Sequence, residues 1–277
     1  MKNFFQRLLT GTMYVACVTV GILVNTYTFL ALFSVVTALC LWEFYKLINA
    51  TRDVNVNPYL NALGGLLLFV STYLYVSGVS GHFVLLPYLL YIVYLLVTEL
   101  YRKEEDPLSR LGYAFFGQVY IALPVALLNM ISFQVDDAGN GHYYPVLALA
   151  LFVFIWINDT GAYLVGMVFG KNRLFKRVSP KKSWEGFFGG LVFTVLSSLV
   201  FAHFEPEIDY YHWIAIAVVI VVFGTWGDLI ESLIKRNLEV KDSGTSLPGH
   251  GGFLDRFDSL LLAVYGMLFY VQLFIRN

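Results

Sequence analysis

Hydrophobic residues occur along this chain in long blocks separated by short polar segments. Residues 8–42 contain no charged side chain, and about 20 residues suffice to span the hydrocarbon core of a membrane. We therefore interpret this run as two helices that turn near Asn25 and Thr26. Further apolar blocks follow at about 59–77, 83–101, 112–133, 145–169, 186–204, 212–230 and 259–275. The pattern predicts an all-α, polytopic integral membrane protein with about nine transmembrane helices.

Composition agrees, because 58% of the residues are hydrophobic and 13% are charged, against about 25% charged in soluble domains. Lys2 and Arg7 before the first apolar block resemble a signal peptide. A second hydrophobic helix follows at once, without a small-x-small cleavage site, so we expect an uncleaved anchor. Cys17 and Cys40 lie within predicted helices as packing residues and indicate neither a disulfide framework nor a metal site.

The distribution of basic residues predicts the orientation. With a cytoplasmic N-terminus and nine crossings, the cytoplasmic segments are 1–7, 43–58, 102–111, 170–185 and 231–258. All of the 18 Lys and Arg residues except Arg276 lie in them. By the positive-inside rule, the N-terminus is predicted to be cytoplasmic. The basic face would attract anionic nucleotides or lipid headgroups, but its cations are divided among loops, which argues against nucleic acid.

Unusual polar residues are concentrated in the C-terminal half. We interpret residues 1–130 as a transmembrane scaffold and residues 145–277 as the catalytic part, with a signature segment at 231–258. This segment mixes basic and acidic side chains with Gly244, Gly249, Gly251 and Gly252. Cations suit phosphate oxygens, carboxylates suit a divalent metal, and glycines let backbone N–H groups approach a phosphate. The segment therefore indicates phosphoryl-transfer chemistry.

Two pairs of acids bracket the signature segment. Asp228 and Glu231 end the predicted eighth helix, and Asp255 and Asp258 precede the ninth. The spacing i, i+3 puts each pair on one helix face, and acids gathered at the membrane boundary would need a cation between them. We predict Asp228, Asp255 and Asp258 as metal ligands. The alternative is a set of salt bridges with Lys235, Arg236 and Arg256.

Asn158 and Asp159 interrupt the predicted sixth helix. Asp159 lies ~21 Å from Pro145 at ~1.5 Å per residue, and a carboxylate inside a membrane costs roughly 2.5–3.5 kcal/mol on insertion scales. We predict that it shares a hydrated, cytoplasm-facing cavity with Asp228. The sixth and eighth helices should then be neighbours, with close approach at Gly161, Gly166 and Gly227. The alternative is a helix–helix hydrogen bond from Asn158 beside a neutral Asp159.

Paired lysines, Lys181 and Lys182, stand just before the predicted seventh helix. Near a helix N-terminus they suit an anion, because the helix dipole adds to their charge. The alternative is that they only set topology, within an ordinary helix start that runs from Ser179-Pro180 to Glu185. His250, between two glycines, suits either a general base or a donor that faces phosphate.

The polar motifs together resemble one enzyme family. Ser232-x-Ile234-Lys235-Arg236, Lys241-Asp242-x-Gly244 and Leu247-Pro248-x-His250-Gly251-Gly252-Phe253-x-Asp255-Arg256-Phe257-Asp258 resemble the signature of phosphatidate cytidylyltransferases (CDP-diacylglycerol synthases). Segments 158–163 and 179–186 also resemble that family, which often has Thr at the position of Ser183. The resemblance covers about 145–275, and the short chain is similar to the bacterial form.

The resemblance implies transfer of CMP from CTP to phosphatidic acid, with Mg²⁺ and room for a second, monovalent or divalent cation. It implies a multi-pass protein of the bacterial inner (cytoplasmic) membrane whose site faces the cytoplasm, and it leaves a homodimer open. The expected catalytic residues are Asp228, Lys241, Asp242, His250, Asp255, Arg256 and Asp258. The expected substrate-binding residues are Asn158, Asp159, Ser179, Lys181, Lys182, Glu185, Ser232, Lys235, Arg236, Gly251 and Gly252.

Two other classes of membrane protein were weighed against this interpretation. Another lipid phosphotransferase or a polyprenol kinase would also place acids and metal at the membrane edge. A CDP-alcohol phosphotransferase should carry an Asp-x-x-Asp-Gly-x-x-Ala-Arg run, which this sequence lacks. An anion transporter would more often show two related halves with broken helices, whereas here the unusual residues lie in one half.

Overall fold

The computed structural model describes residues 2–102, 106–136, 139–244, 246 and 251–276. Within them the chain is dominated by helices: α1 (Lys2–Leu23), α2 (Thr26–Thr51), α3 (Pro58–Val76), α4 (Leu86–Tyr101), α5 (Pro107–Ser132), α6 (Val146–Phe169), α7 (Trp184–Phe204), α8 (Tyr210–Asn237) and α9 (Asp258–Phe274). Seven helical spans are long and apolar enough to cross a membrane, while α1 and α9 contribute shorter apolar stretches. The predicted all-α, multi-pass membrane architecture is confirmed.

Polar residues begin several helices. Asn25 caps α2, because its side chain accepts hydrogen bonds from the amides of Tyr27 and Thr28 while Thr28 bonds back to the Asn25 amide. At the start of α3 the Asn57 side chain accepts hydrogen bonds from the amides of Tyr59 and Leu60, with Pro58 in the first turn. These caps satisfy amides that have no partner inside the helix. The predicted turn near Asn25 and Thr26 is therefore present.

Several helices extend beyond the apolar blocks that predicted them. Helix α2 continues past Trp42 to Thr51, and α8 continues past residue 230 to Asn237. The hydrophobic pattern marks the part of a helix that lies in hydrocarbon, whereas the hydrogen-bonded backbone can run on into the interface. This extension places Glu43, Glu231 and Lys235 on helices.

Two short antiparallel hairpins were not predicted. Strand β1 (Phe133–Val135) pairs with β2 (Gly141–Tyr143), and β3 (Arg173–Phe175) pairs with β4 (Ser179–Ser183). The segment that was interpreted as an ordinary helix start is thus a strand. Helix α7 begins only after Ser183, whose side chain accepts a hydrogen bond from the Gly186 amide.

The chain forms two compact units. The first comprises Met1–Pro145 and Leu238–Arg256, and the second comprises Val146–Asn237 and Phe257–Asn277. Most of the signature segment, which the sequence pattern grouped with the C-terminal part, belongs to the first unit. In the first unit Cys40 is buried, as expected for a packing residue, whereas Cys17 is exposed.

Candidate active site

A cavity of about 480 Å³ opens in the second unit. Helices α6, α7 and α8 and the hairpin β3–β4 contribute its walls. Its polar lining residues are Asn158, Asp159, Tyr163, Lys181, Lys182, Ser183, Thr225 and Asp228. The structure therefore brings together side chains from the sixth helix, the lysine pair and the eighth helix, as the sequence pattern predicted.

Three carboxylates gather in this unit. Asp228, Glu231 and Asp258 each offer an oxygen, and these oxygens lie within 4.8 Å of one another. Asp228 and Glu231 share a face of α8 because they are three residues apart. Asp258 reaches them because Gly227 lets the start of α9 approach: a Cβ at position 227 would lie 2.6 Å from the Asp258 carbonyl oxygen.

Two lysines contact this carboxylate group. Nζ of Lys182 forms an ion pair with Asp228, and Nζ of Lys235 lies 2.5 Å from Oε2 of Glu231. Burial lowers the pKa of the Lys182 ammonium below its ordinary value, although the charges of Asp258, Asp159 and Glu231 act in the opposite direction. The salt bridge that the alternative predicted for Lys235 is therefore present, and Lys182 forms a second one that was not predicted. The same carboxylates also meet the distance expected of metal ligands.

Asn158 and Asp159 lie on α6 with different environments. Asn158 is buried, and its Oδ1 has no hydrogen-bond partner among the described residues. Asp159 is exposed and lines the cavity together with Asp228. The unpartnered Oδ1 makes no helix–helix hydrogen bond, and the alternative of a hydrogen bond donated from the Asn158 side chain stays a prediction.

The glycines on α6 serve a different contact from the predicted one. A Cβ at Gly161 would meet Phe193 and Gly190, and one at Gly166 would meet Ser183 and Gly186. These glycines therefore allow α6 to pack against α7 and the residue that caps it. Helix α6 contacts α8, as predicted. Gly227 on α8 does not face this contact, because its Cβ position points to α9.

The remaining predicted substrate-binding residues of this unit differ in their contacts. Glu185 accepts hydrogen bonds from the backbone amides of Lys171 and Asn172 and from the Asn172 side chain. It therefore fastens the loop before β3. Ser179 lies in β4 opposite Phe175, Ser232 donates a hydrogen bond to Asp228 at 3.3 Å, and Arg236 is exposed in the last turn of α8.

Several described signature residues of the first unit contact one buried acid, Glu43 of α2. Its carboxylate accepts hydrogen bonds from the hydroxyls of Ser243 and Ser246, at 2.5 and 2.9 Å. It also accepts from the amides of Phe253 and Leu254, at 3.0 and 3.2 Å. Sequence reasoning missed Glu43, although it is the acid that ends the charge-free run 8–42.

Asp255 also accepts backbone hydrogen bonds in the first unit. Its carboxylate binds the amides of Ser243 and Gly252, and Gly251 has a φ of +84° beside it. Lys241 and Asp242 are exposed. The backbone carbonyl of Arg256 accepts a hydrogen bond from the Tyr14 hydroxyl at 3.1 Å.

Of the three predicted metal ligands, the structure places Asp228 and Asp258 close together. Glu231 completes the carboxylate group with Asp228 and Asp258 in the second unit, while Asp255 is held by amides in the first. The physical reason is the turn Leu254–Arg256, in which the Asp255 side chain folds back onto the Gly252 amide. His250 lies outside the described residues. Thr225, one turn before Asp228 on α8, lines the cavity and carries no charge that could have marked it.

Comparisons with known proteins point to one family. The model of the cytidylyltransferase family matches residues 5–274. The chain is 31% identical over 282 residues to the phosphatidate cytidylyltransferase of Bacillus subtilis (strain 168), covering 99% of this chain and 100% of that protein. It is 37% identical over 159 residues to the phosphatidate cytidylyltransferase of Staphylococcus epidermidis (strain ATCC 35984), covering 57% of this chain and 60% of that protein. A protein of the same description from Staphylococcus aureus (strain COL) is 38% identical over 160 residues, with the same shares.

Proposed function

Because the chain belongs to the cytidylyltransferase family, we propose that it transfers CMP from CTP to phosphatidate, which yields CDP-diacylglycerol and pyrophosphate. A phosphate oxygen of phosphatidate attacks the α-phosphorus of CTP. The bond between that phosphorus and the bridging oxygen to the β-phosphate breaks, and pyrophosphate leaves with the electron pair. The full-length match to the Bacillus protein supports this activity over the rival phosphotransferases and transporters.

One observation carries the proposal: carboxylates and lysines converge on one cavity of the second unit. The reaction joins two anions, so their mutual repulsion is a main obstacle. Little covalent chemistry is required of the protein, and catalysis depends on positioning and on neutralising charge. We assign Lys181 and Lys182 to substrate phosphates, and Asn158 and Asp159, which line the same cavity, to polar groups of the bound substrates.

The carboxylate group fits a divalent cation. Oxygens on opposite sides of one Mg²⁺ lie about 4.2 Å apart, since metal–oxygen distances are about 2.1 Å. Three oxygens within 4.8 Å reach that spacing with small side-chain movements. The Lys182 ammonium on Asp228 already places positive charge at this position. Asp228, Glu231 and Asp258 would hold Mg²⁺, which would neutralise charge on the phosphates of CTP.

We further propose that the site faces the cytoplasm from a bacterial inner membrane. The distribution of Lys and Arg supports this orientation by the positive-inside rule. It also gives the site access to both reactants, because CTP is cytosolic and the phosphatidate headgroup lies at the membrane surface. Cross-linking in native membranes tests whether the protein forms a homodimer.

A direct assay tests the activity. Protein purified in detergent is incubated with labelled CTP, phosphatidate and Mg²⁺, and the lipid extract and the released pyrophosphate are measured. We expect equal amounts of labelled CDP-diacylglycerol and pyrophosphate, and at least about 10²-fold slower formation of both by the Asp258→Asn variant. Pyrophosphate release without a labelled lipid, or no product from well-folded protein, would reject the proposed reaction.

A further inference from the structure

A buried acid in the first unit accepts hydrogen bonds from residues of the signature segment. Glu43 is 4% exposed, and its two carboxylate oxygens accept four hydrogen bonds from residues about 200 positions later in the chain. We infer that Glu43 is a positioning residue for the proposed cytidylyl transfer: it fixes the turn that carries Asp255 and Arg256. This inference rests on the proposed function and adds a residue from the N-terminal scaffold to it.

The hydrogen bonds of Glu43 distinguish positioning from metal binding. A carboxylate offers about four lone-pair directions, and Glu43 uses them for two hydroxyls and two amides. Little acceptor capacity is left for a metal ion. Burying a carboxylate without such donors costs free energy. The burial of Glu43 therefore requires these donors, and Glu43 in turn holds the donors in place.

The glycines of the signature segment make room for this carboxylate. A Cβ at Gly252 would overlap Oε1 of Glu43, and one at Gly244 would lie 2.7 Å from its Cδ. Gly252 also donates its amide to Asp255 at 2.7 Å. Both glycines are therefore explained by close approach to Glu43 in addition to any approach to phosphate.

The hydrogen bonds of Glu43 and those of Asp255 share residues, and we call this network, formed by Glu43, Ser243, Phe253, Leu254 and Asp255, the anchor. Ser243 donates its hydroxyl to Glu43 and its amide to Asp255. Phe253 and Leu254, which donate to Glu43, directly precede the turn Leu254–Arg256. If the Glu43 acceptor is lost, the orientation of Asp255 and Arg256 loses its support. Asp255 and Arg256 are among the catalytic residues that the family resemblance implies, and a displacement of about 1 Å at such a residue can cost about 10²-fold in rate.

The first experiment compares Glu43→Gln with Glu99→Gln. Glu99 is a matched control because it is a partly buried acid of the same unit that pairs with Arg110 rather than with signature residues. We expect Glu43→Gln to lower kcat about 100-fold with little change in the KM for phosphatidate, and Glu99→Gln to stay within about threefold of wild type. Equal losses in the two variants would mean that Glu43 acts only through general stability, and would overturn the inference.

The second experiment is a double-mutant cycle with Ser243→Ala. If Glu43 acts through Ser243, the combined variant should be no slower than the slower single variant, because both remove the same anchor. If the losses of kcat in the two single variants multiply in the combined variant, Glu43 does not act through Ser243.

A third readout does not depend on activity: tryptic cleavage after the exposed Lys241 should be faster in Glu43→Gln than in Glu99→Gln. If the wild-type protein shows no transferase activity but Glu43→Gln is cleaved faster than Glu99→Gln, the proposed function is rejected and the positioning role of Glu43 in the fold is kept. If the wild-type protein is active and the two variants are cleaved at the same rate, the positioning role of Glu43 is rejected.

Discussion

Gly227 offers a test of the carboxylate group without a change of charge. A methyl group at this position would lie 2.6 Å from the Asp258 carbonyl oxygen and 3.2 Å from Cα of Ser259. These are backbone atoms, so no side-chain rotation can relieve the overlap. Gly227→Ala must therefore move the start of α9 away from α8.

The size of the movement follows from contact distances. Carbon–oxygen contacts begin at about 3.3 Å, so the two backbones must separate by about 0.7 Å. Asp258 moves with α9 while Asp228 and Glu231 stay on α8. Since a misplacement of about 1 Å costs up to about 10²-fold, we expect kcat/KM to fall by about 10–100-fold, equal to about 1.4–2.7 kcal/mol.

Gly224→Ala is the matched control for this change. It lies one turn earlier on α8 and faces the same helix, but its added methyl would meet Ser259 and Ala263 only at 3.7–4.0 Å. Turnover is measured at increasing Mg²⁺ for both variants. We expect Gly227→Ala to need more Mg²⁺ and Gly224→Ala to follow wild type. A wild-type Mg²⁺ curve for Gly227→Ala would refute the assignment of the three carboxylates to one metal site.

Four further substitutions test the carboxylates, the cavity lysine Lys182 and the proposed orientation. Glu231→Gln and Asp258→Asn should each lower turnover by at least about 10²-fold and raise the Mg²⁺ requirement; a normal Mg²⁺ curve for Glu231→Gln would remove Glu231 from the metal set. Lys182→Met should weaken CTP binding, measured at equilibrium with Mg²⁺ present, by about 10-fold or more, and unchanged affinity would limit Lys182 to its ion pair with Asp228. Lys181→Cys on a cysteine-free background should resist an impermeant thiol reagent in intact cells, whereas labelling from outside would reverse the proposed orientation.

The helices were largely predictable because the membrane leaves few choices. Backbone groups in hydrocarbon must be hydrogen-bonded within the segment, so an apolar block of sufficient length is a helix. The helix ends were less predictable, since α2 and α8 continue where the side chains are already polar. The hairpin at Ser179–Ser183 was missed because its pairing with Arg173–Phe175 depends on a turn, whereas Ser-Pro before Glu185 is also typical of a helix start.

The site was predictable where local spacing decides geometry. Asp228 and Glu231 share a helix face because of their spacing, and Asp159 was marked by the cost of a carboxylate in a membrane. Spacing could not show that Asp255 turns onto the Gly252 amide. Nor could it show Glu43, because a single acid at the end of an apolar block resembles an ordinary interfacial charge and its partners lie far along the chain.

The charges of the second unit combine acids and bases around one cavity. Asp159 and Asp228 line the cavity with Lys181 and Lys182, and Glu231, Asp258 and Lys235 are linked to them by close contacts. Carboxylates alone would repel CTP and phosphatidate, while lysines alone would not create a site for a divalent cation. Together they nearly cancel, which lowers the cost of holding charged side chains at the edge of a membrane. A divalent cation held by these carboxylates would shift the balance to positive where two anionic phosphates must meet, which is the electrostatic requirement of the proposed reaction.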